Sequence, residues 1–258
     1  MRTGTRGFGH GRGRPENLIS LSDAGVSLLR HKEALPAGVR TEQVTADGIT
    51  SLDHQLLVNS FRTHLIQMQR LISRLAVRFL SPTSPFLPLA ADDCPAVSDS
   101  ASVGDDRQGT TRFTPDGVIS ISDCESQKTL LFFLEVDMGT EALASPARGP
   151  RDIRQKIINY QAYFRSGRYK RYEKDWSCEL NGFRLLFVTT SAGRLASLCQ
   201  LVREMTPSGF VWLTSERRMV EHGVSAEIWA RGGRDGDHSQ SILGREMACS
   251  APLASRHP

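Results

Sequence analysis

Asp116, Glu135 and Asp137 are the residues whose types and spacing point most directly to chemistry. Gly117-Val-Ile-Ser-Ile-Ser122 alternates with period two, and Thr129-Leu-Leu-Phe-Phe-Leu134 is a continuous apolar run leading into Glu135-Val-Asp137. Both patterns predict strands, joined around Cys124 to Gln127. With the turn centred between Glu125 and Ser126, Asp116 falls opposite Glu135. Period-two geometry sets Glu135 and Asp137 on one face of their strand, so three carboxylates converge at one end of the hairpin. A slip of one residue would separate them. Clustered carboxylates repel, and burying them unpaired is costly. Mg²⁺, which takes one or two carboxylates plus waters, would remove that cost. It would also activate water and stabilise the charge that develops on a phosphodiester. The plainer alternative has Glu135 and Asp137 solvated at a strand end, or paired with Arg151 or Arg154.

A second cluster lies further on. All four tyrosines fall within Tyr160-Gln-Ala-Tyr-Phe-Arg-Ser-Gly-Arg-Tyr-Lys-Arg-Tyr172, interleaved with Arg165, Arg168, Lys170 and Arg171. Residues 148–174 hold nine Lys/Arg against two Asp/Glu, in a chain whose net charge is +4. A local basic patch suits a polyanion, and exposed bases stack on aromatic rings. Arg154, Arg165, Arg168, Lys170 and Arg171 are therefore the candidate nucleic-acid contacts. The alternative is a solvated helix face, and Tyr160, which continues an apolar stripe, reads as packing.

Other chemistries are set aside. No two of the seven histidines are close enough in sequence to suggest the metal cluster that a tyrosine nucleophile needs. There is no G-x-x-x-x-G-K-[ST] loop and no G-x-S-x-G elbow. The five cysteines form no C-x-x-C pair, which argues against structural zinc and against a disulfide framework. No apolar run is long enough to span a membrane, and the first ten residues lack a secretory h-region. A soluble, cytoplasmic protein is expected.

The elements that must position these groups follow from periodicity. Residues 1–14 are Gly- and Arg-rich and read as disordered. Asn17 to Leu21 reads as a short strand, and Ser22 caps a helix running to Leu29. Leu52 to Phe79 reads as one long amphipathic helix, through Leu56, Phe61, Leu65, Met68, Ile72, Leu75 and Phe79. Residues 90–111 read as a mobile acidic loop. A helix from Arg151 to Phe164, a strand from Phe183 to Thr189, a helix from Arg194 to Met205 and a strand from Phe210 to Leu213 complete the set. Residues 231–258 read as a disordered tail. The expected fold is α/β: a mixed sheet flanked by helices, in one domain over residues 50–230.

His54-Gln-Leu-Leu-Val-Asn59, Pro115-Asp-Gly117, Phe133-Leu-Glu-Val-Asp-Met-Gly-Thr-Glu141, Lys156 with Tyr160, and Phe183-Arg-Leu-Leu-Phe-Val-Thr189 occur in that order. Together they resemble the replication-relaxation proteins of bacterial plasmids and conjugative elements, over roughly residues 12–230. The resemblance implies an N-terminal winged helix-turn-helix and then a domain similar to PD-(D/E)xK, or restriction-endonuclease-like, nucleases. Here Gly11 to Leu29 looks like only the wing and last helix, so that residues 15–45 would be a winged-helix remnant and linker without the recognition helix. Such a nuclease would place Lys at position 137, where this chain has Asp. Asp116 and Glu135 carry over as metal ligands, Asp137 as a further acid, and Lys156 as the substitute cation. His54 and Asn59 carry over no role. The function implied is a DNA-associated accessory protein of plasmid or mobile-element replication and mobilisation. Two alternatives stay open: a Mg²⁺-dependent endonuclease, and a catalytically inert module that binds a relaxase or replication initiator.

Overall fold

The computed structural model describes residues 2–5, 17–35, 41, 51–82, 97–102, 110–144 and 152–244. At the N-terminus, β1 (Arg2–Thr5) pairs antiparallel with β2 (Asn17–Ser20). The strand at residues 2–5 corrects the expectation of disorder there; residues 6–16 lie outside the described ones. Helix α1 (Asp23–His31) follows, its first turn closed by the Ser22 hydroxyl, which accepts from the Gly25 N–H at 3.2 Å. Val26 and Leu35 bury together beneath it. This unit is one hairpin and one helix.

Helix α2 (Leu52–Leu71) buries Leu57, Val58, Phe61, Leu65 and Met68, which recur three or four residues apart on one face. It stops eight residues short of the expected end. Leu75 to Leu80 is instead strand β3, paired antiparallel along its whole length. Over so short a span the apolar spacing suits either period. The partner ladder decides, and the Gln69 side chain takes the Val77 N–H at 2.7 Å across the turn.

The segment expected to be a mobile loop, residues 90–111, contains one strand and the start of another. β4 (Asp99–Ser102) pairs with β5 (Thr110–Phe113), and Val97 and Ala101 are buried against the core. The rest of that loop lies outside the described residues. β6 (Gly117–Asp123) and β7 (Lys128–Asp137) then form the expected hairpin, with Gly117 opposite Leu134 and Asp123 opposite Lys128. At Gly117 the neighbouring strand comes close: an added Cβ would meet Phe79 Cζ at 2.8 Å.

Helix α3 (Ile153–Ser166) starts on an Asp152 cap that accepts from the Gln155 N–H at 2.7 Å. It ends on Gly167 in the left-handed conformation. A 3-10 turn (Arg168–Lys170) and α4 (Arg171–Trp176) lead to β8 (Arg184–Thr189), parallel to β7. Helix α5 (Ala192–Glu204) returns the chain to β9 (Val211–Ser215), parallel to β8, before α6 (Glu216–His222) and the short β10 (Ala230–Arg231). The main sheet has six strands in the order β10-β9-β8-β7-β6-β3. The architecture is the expected α/β one, a mixed sheet with helices on both faces.

Burial on both faces explains the continuous apolar run of β7. Leu131 and Phe133 face the layer of α3 and α5, while Phe132, Leu134 and Val136 face α2. Glu135 and Asp137 continue the first of these faces.

Order continues past the expected boundary at residue 231. Trp229 bridges to Gln240, its indole N–H donates to the Val224 carbonyl at 2.8 Å, and Ile242 and Leu243 are buried beside it. Ile242 and Leu243 stand in a Gly- and Ser-rich stretch without periodicity, and the core they join is built largely from residues distant in sequence. Residues 245–258 lie outside the described ones. Among the described residues no helix is long and apolar enough to cross a membrane.

Candidate functional site

The carboxylates meet at the carboxyl end of β7, where hairpin, α2 and α3 adjoin. Asp116 stands just before β6; its N–H donates to the Leu134 carbonyl at 2.9 Å, and its Oδ2 accepts from the Val136 N–H at 2.7 Å. That reciprocal pair fixes Asp116 beside Glu135, in the register the sequence predicts. His54, in the first turn of α2, brings Nε2 to 3.1 Å from Asp116 Oδ2.

Glu135 is buried and both of its oxygens are occupied. Tyr160 donates to Oε1 at 2.7 Å and Lys156 donates to Oε2 at 3.2 Å. Lys156 and Tyr160 are four residues apart on α3 and so share a face. Lys156 Nζ also lies 2.9 Å from Glu141 Oε2. Lys156 thus bridges Glu135 and Glu141.

Asp137 does not join them. Its carboxylate is held by Arg194, at the start of α5, through Nε at 2.6 Å and Nη2 at 3.1 Å. The same guanidinium donates to the Glu141 carbonyl at 2.7 Å. The expected convergence of three acids is thus corrected to two. A bidentate arginine fork matches carboxylate geometry and withdraws the third. Arg154, one of the two expected partners, lies 3.8 Å from Glu204 instead; Arg151 lies outside the described residues.

Burial holds the Glu135 carboxyl above the ordinary glutamate range; Asp116 adds to the rise, while Lys156 and Tyr160 oppose it. Lys156 is raised too, because Glu135, Glu141 and Asp116 outweigh its own burial. The ammonium has three anions around it, whereas Glu135 has one cation and a repelling neighbour. Lys156 is accordingly the firmer of the two charges. Tyr160, buried against Glu135, stays protonated and acts as donor only. The hydrogen bond to Asp116 raises His54 above its usual value.

A pH dependence with a definite sign follows. Folded Glu135 keeps its proton to higher pH than an unfolded glutamate, so the folded state binds more protons in that window. Its contribution is full below the unfolded value and lost as pH rises through the folded one. His54 carries the same sign. We expect the denaturant midpoint of wild type to fall, relative to Glu135→Gln, between about pH 5 and about pH 8. Parallel midpoints in the two proteins would refute this account of Glu135.

The basic segment is largely engaged internally. Arg168 donates to the Ser100 hydroxyl at 2.8 Å, and Arg171 Nε lies 3.1 Å from Asp99 Oδ2, so both tie β4 to the helical layer. Lys170 is 3.5 Å from Glu173, and Arg154 is 3.8 Å from Glu204. Arg165 is exposed on the last turn of α3. All four tyrosines are buried, packed with Phe133 and Phe183, so the expected stacking surface for bases is replaced by core.

His54, Glu141 and Arg194 entered no site in the sequence reading. His54 had a signal, since it opens the helix that precedes the acids; Arg194 had none, standing 57 residues from Asp137. Among the described residues no group of three or more His, Cys, Asp or Glu is placed to hold a metal ion. An all-protein cage is therefore not built there. Asp116 Oδ2 is engaged by the Val136 N–H and by His54, and the two Glu135 oxygens by Tyr160 and Lys156.

A family model described as "Replication-relaxation" matches residues 4–176. No curated protein and no solved structure matches the chain.

Proposed function

The chain belongs to the replication-relaxation family, and from that premise we propose that it is a DNA-associated accessory protein of plasmid or mobile-element replication and mobilisation, whose Asp116–Glu135–Lys156 centre meets the phosphodiester backbone. Membership of the family suggests a role in replication or mobilisation. The finer reading is carried by one observation: Lys156 Nζ stands 3.2 Å from Glu135 Oε2 at a sheet end that also holds Asp116. Two acids beside a lysine are the groups that phosphodiester chemistry uses, one pair for a cation and one charge for the developing oxyanion.

Each residue has a part in this reading. Asp116 and Glu135 would hold Mg²⁺, which when bound lowers the pKa of water and offsets phosphate charge. Tyr160 orients Glu135 and His54 orients Asp116. Lys156 sets a fixed positive charge at the mouth of the centre. Arg194 binds Asp137 and keeps it out.

The test is conversion of supercoiled plasmid by the purified chain in Mg²⁺ or Mn²⁺, with Glu135→Ala as control and a gel shift alongside. Nicking lost in the variant makes the chain an endonuclease with this centre. A shift without nicking leaves a DNA-binding accessory factor. Folded protein that neither nicks nor shifts DNA, even at low salt, would sink the DNA reading.

A second reading is favoured by the occupied oxygens of Glu135: a cluster closed on itself suits an inert module that binds a relaxase or replication initiator. Absence of any Mg²⁺ heat in titration calorimetry, together with capture of such a partner, would favour it.

A further inference from the structure

The sheet has a second polar end, away from the acids. A groove of ≈ 1120 Å³ runs past the starts of β7, β8 and β9, lined among others by Phe164, Arg184, Phe210, Trp212 and Arg231. Arg184, the first residue of β8, lies over the Trp212 ring at 4.8 Å and over the Phe132 ring at 5.8 Å. Arg231, on β10, lies over the same Trp212 ring at 5.7 Å. Two guanidinium groups thus share one indole.

Neither has a carboxylate partner among the described residues. Arg184 donates to the Ile242 carbonyl, and Arg231 Nε donates to the Gly209 carbonyl at 3.0 Å. Glu173 and Glu179 line the same groove but pair with neither arginine; Glu173 accepts from the Leu180 N–H at 2.8 Å and faces Lys170. Burial and the nearby Arg231 push Arg184 down to about 10. Like charges held together without a counterion are unfavourable, and an oxyanion relieves them. A guanidinium has five donors in a planar fork that suits phosphate oxygens, and a single backbone carbonyl occupies little of it.

Two further rings that line the same groove narrow the ligand class. Phe164 is 38% exposed and its ring lies 5.9 Å from that of Phe210, also in the groove wall. Phe164 already stacks on Tyr169 at 5.7 Å and Phe210 is half-buried, so the ring edges left open are what the groove offers. A groove that combines cations with accessible aromatic surface is how proteins hold single nucleic-acid strands, phosphates on the cations and bases on the rings. We propose that this groove is a nucleotide-phosphate site, with Arg184 and Arg231 holding the phosphate and Phe164 and Phe210 offering the base a stacking face. It stands apart from the acid centre and does not require that centre to cut. The phosphate belongs either to a single-stranded nucleic acid or to a free nucleotide.

The experiment is fluorescence anisotropy of a labelled oligothymidylate strand with the full chain, in chelator so that no metal-bridged contact contributes. Arg231→Glu changes an exposed side chain and is expected to weaken binding at least about tenfold and to lower the salt slope by about one phosphate. Arg184→Gln is expected to weaken it similarly, whereas Arg217→Ala, remote on α6, leaves it unchanged. Competition by thymidine monophosphate at matched phosphate concentration assigns the site to free nucleotides; no competition assigns it to the strand. Wild type that binds neither probe, or a folded Arg231→Glu that binds as tightly as wild type, overturns the proposal. Arg231→Glu decides alone if Arg184→Gln fails to fold.

Discussion

Asp137→Ala is expected to lower the unfolding free energy by about 3–5 kcal/mol, the size seen when one partner of a buried ion pair is removed. Asp137 is 4% exposed and takes two hydrogen bonds from Arg194 and one from the Gly139 N–H at 3.1 Å. Alanine leaves the guanidinium under the sheet edge with only the Glu141 carbonyl. Arg194→Ala should cost a similar amount, and the double variant less than the sum of the two. Chemical denaturation at neutral pH measures all three. A loss under about 1 kcal/mol for Asp137→Ala would show that the pair is solvent-screened and that our account of this acid is wrong.

Lys156→Ala is expected to act the other way round, with a small stability cost and a large functional one. Without the ammonium, Glu135 faces Asp116 with Tyr160 as its remaining donor. Its carboxyl, already held high, takes up a proton near neutral pH and so avoids a buried bare charge. The stability loss should therefore be about 1–3 kcal/mol, below that of Asp137→Ala. Any plasmid nicking should fall at least about 100-fold, as when a fixed electrostatic stabiliser is removed from a reacting site. The pH at which stability declines should also move upward. A variant that nicks at the wild-type rate would remove Lys156 from the proposed centre.

The contrast between these residues bears on what a sequence can tell. The hairpin register rested on centring the turn between Glu125 and Ser126, which the β6–β7 ladder bears out; the continuous apolar run of β7, buried on both faces, does not by itself exclude a slip of one residue. Asp116 beside Glu135 follows from that register, and Lys156 with Tyr160 from helical spacing. The fate of Asp137 was not legible. It depends on how α5 enters after β8, and no local pattern encodes the approach of two residues 57 apart. The tyrosines misled for a related reason. Their cations advertised a surface, yet Tyr163, Tyr169 and Tyr172 turn inward because Phe133 and Phe183 offer rings to pack on. Strand β3 was hidden within a helical spacing that also suits a strand, and only the ladder to β6 separates them.

The place of β7 between an antiparallel and a parallel neighbour constrains how the protein is made. Its β6 partner arrives through a tight turn, but its β8 partner follows only after the whole α3 and α4 passage has been synthesised. Parallel pairings of this separation form slowly, because the loop must close before its contacts repay it. Until then Thr129-Leu-Leu-Phe-Phe-Leu134 offers an open edge of high β-propensity without a charge or proline in it, the composition of segments that associate between chains. A nascent chain halted between residues 137 and 184 would display that edge, so yield from expression should depend on elongation and chaperone supply through this interval more than on the final stability of the fold.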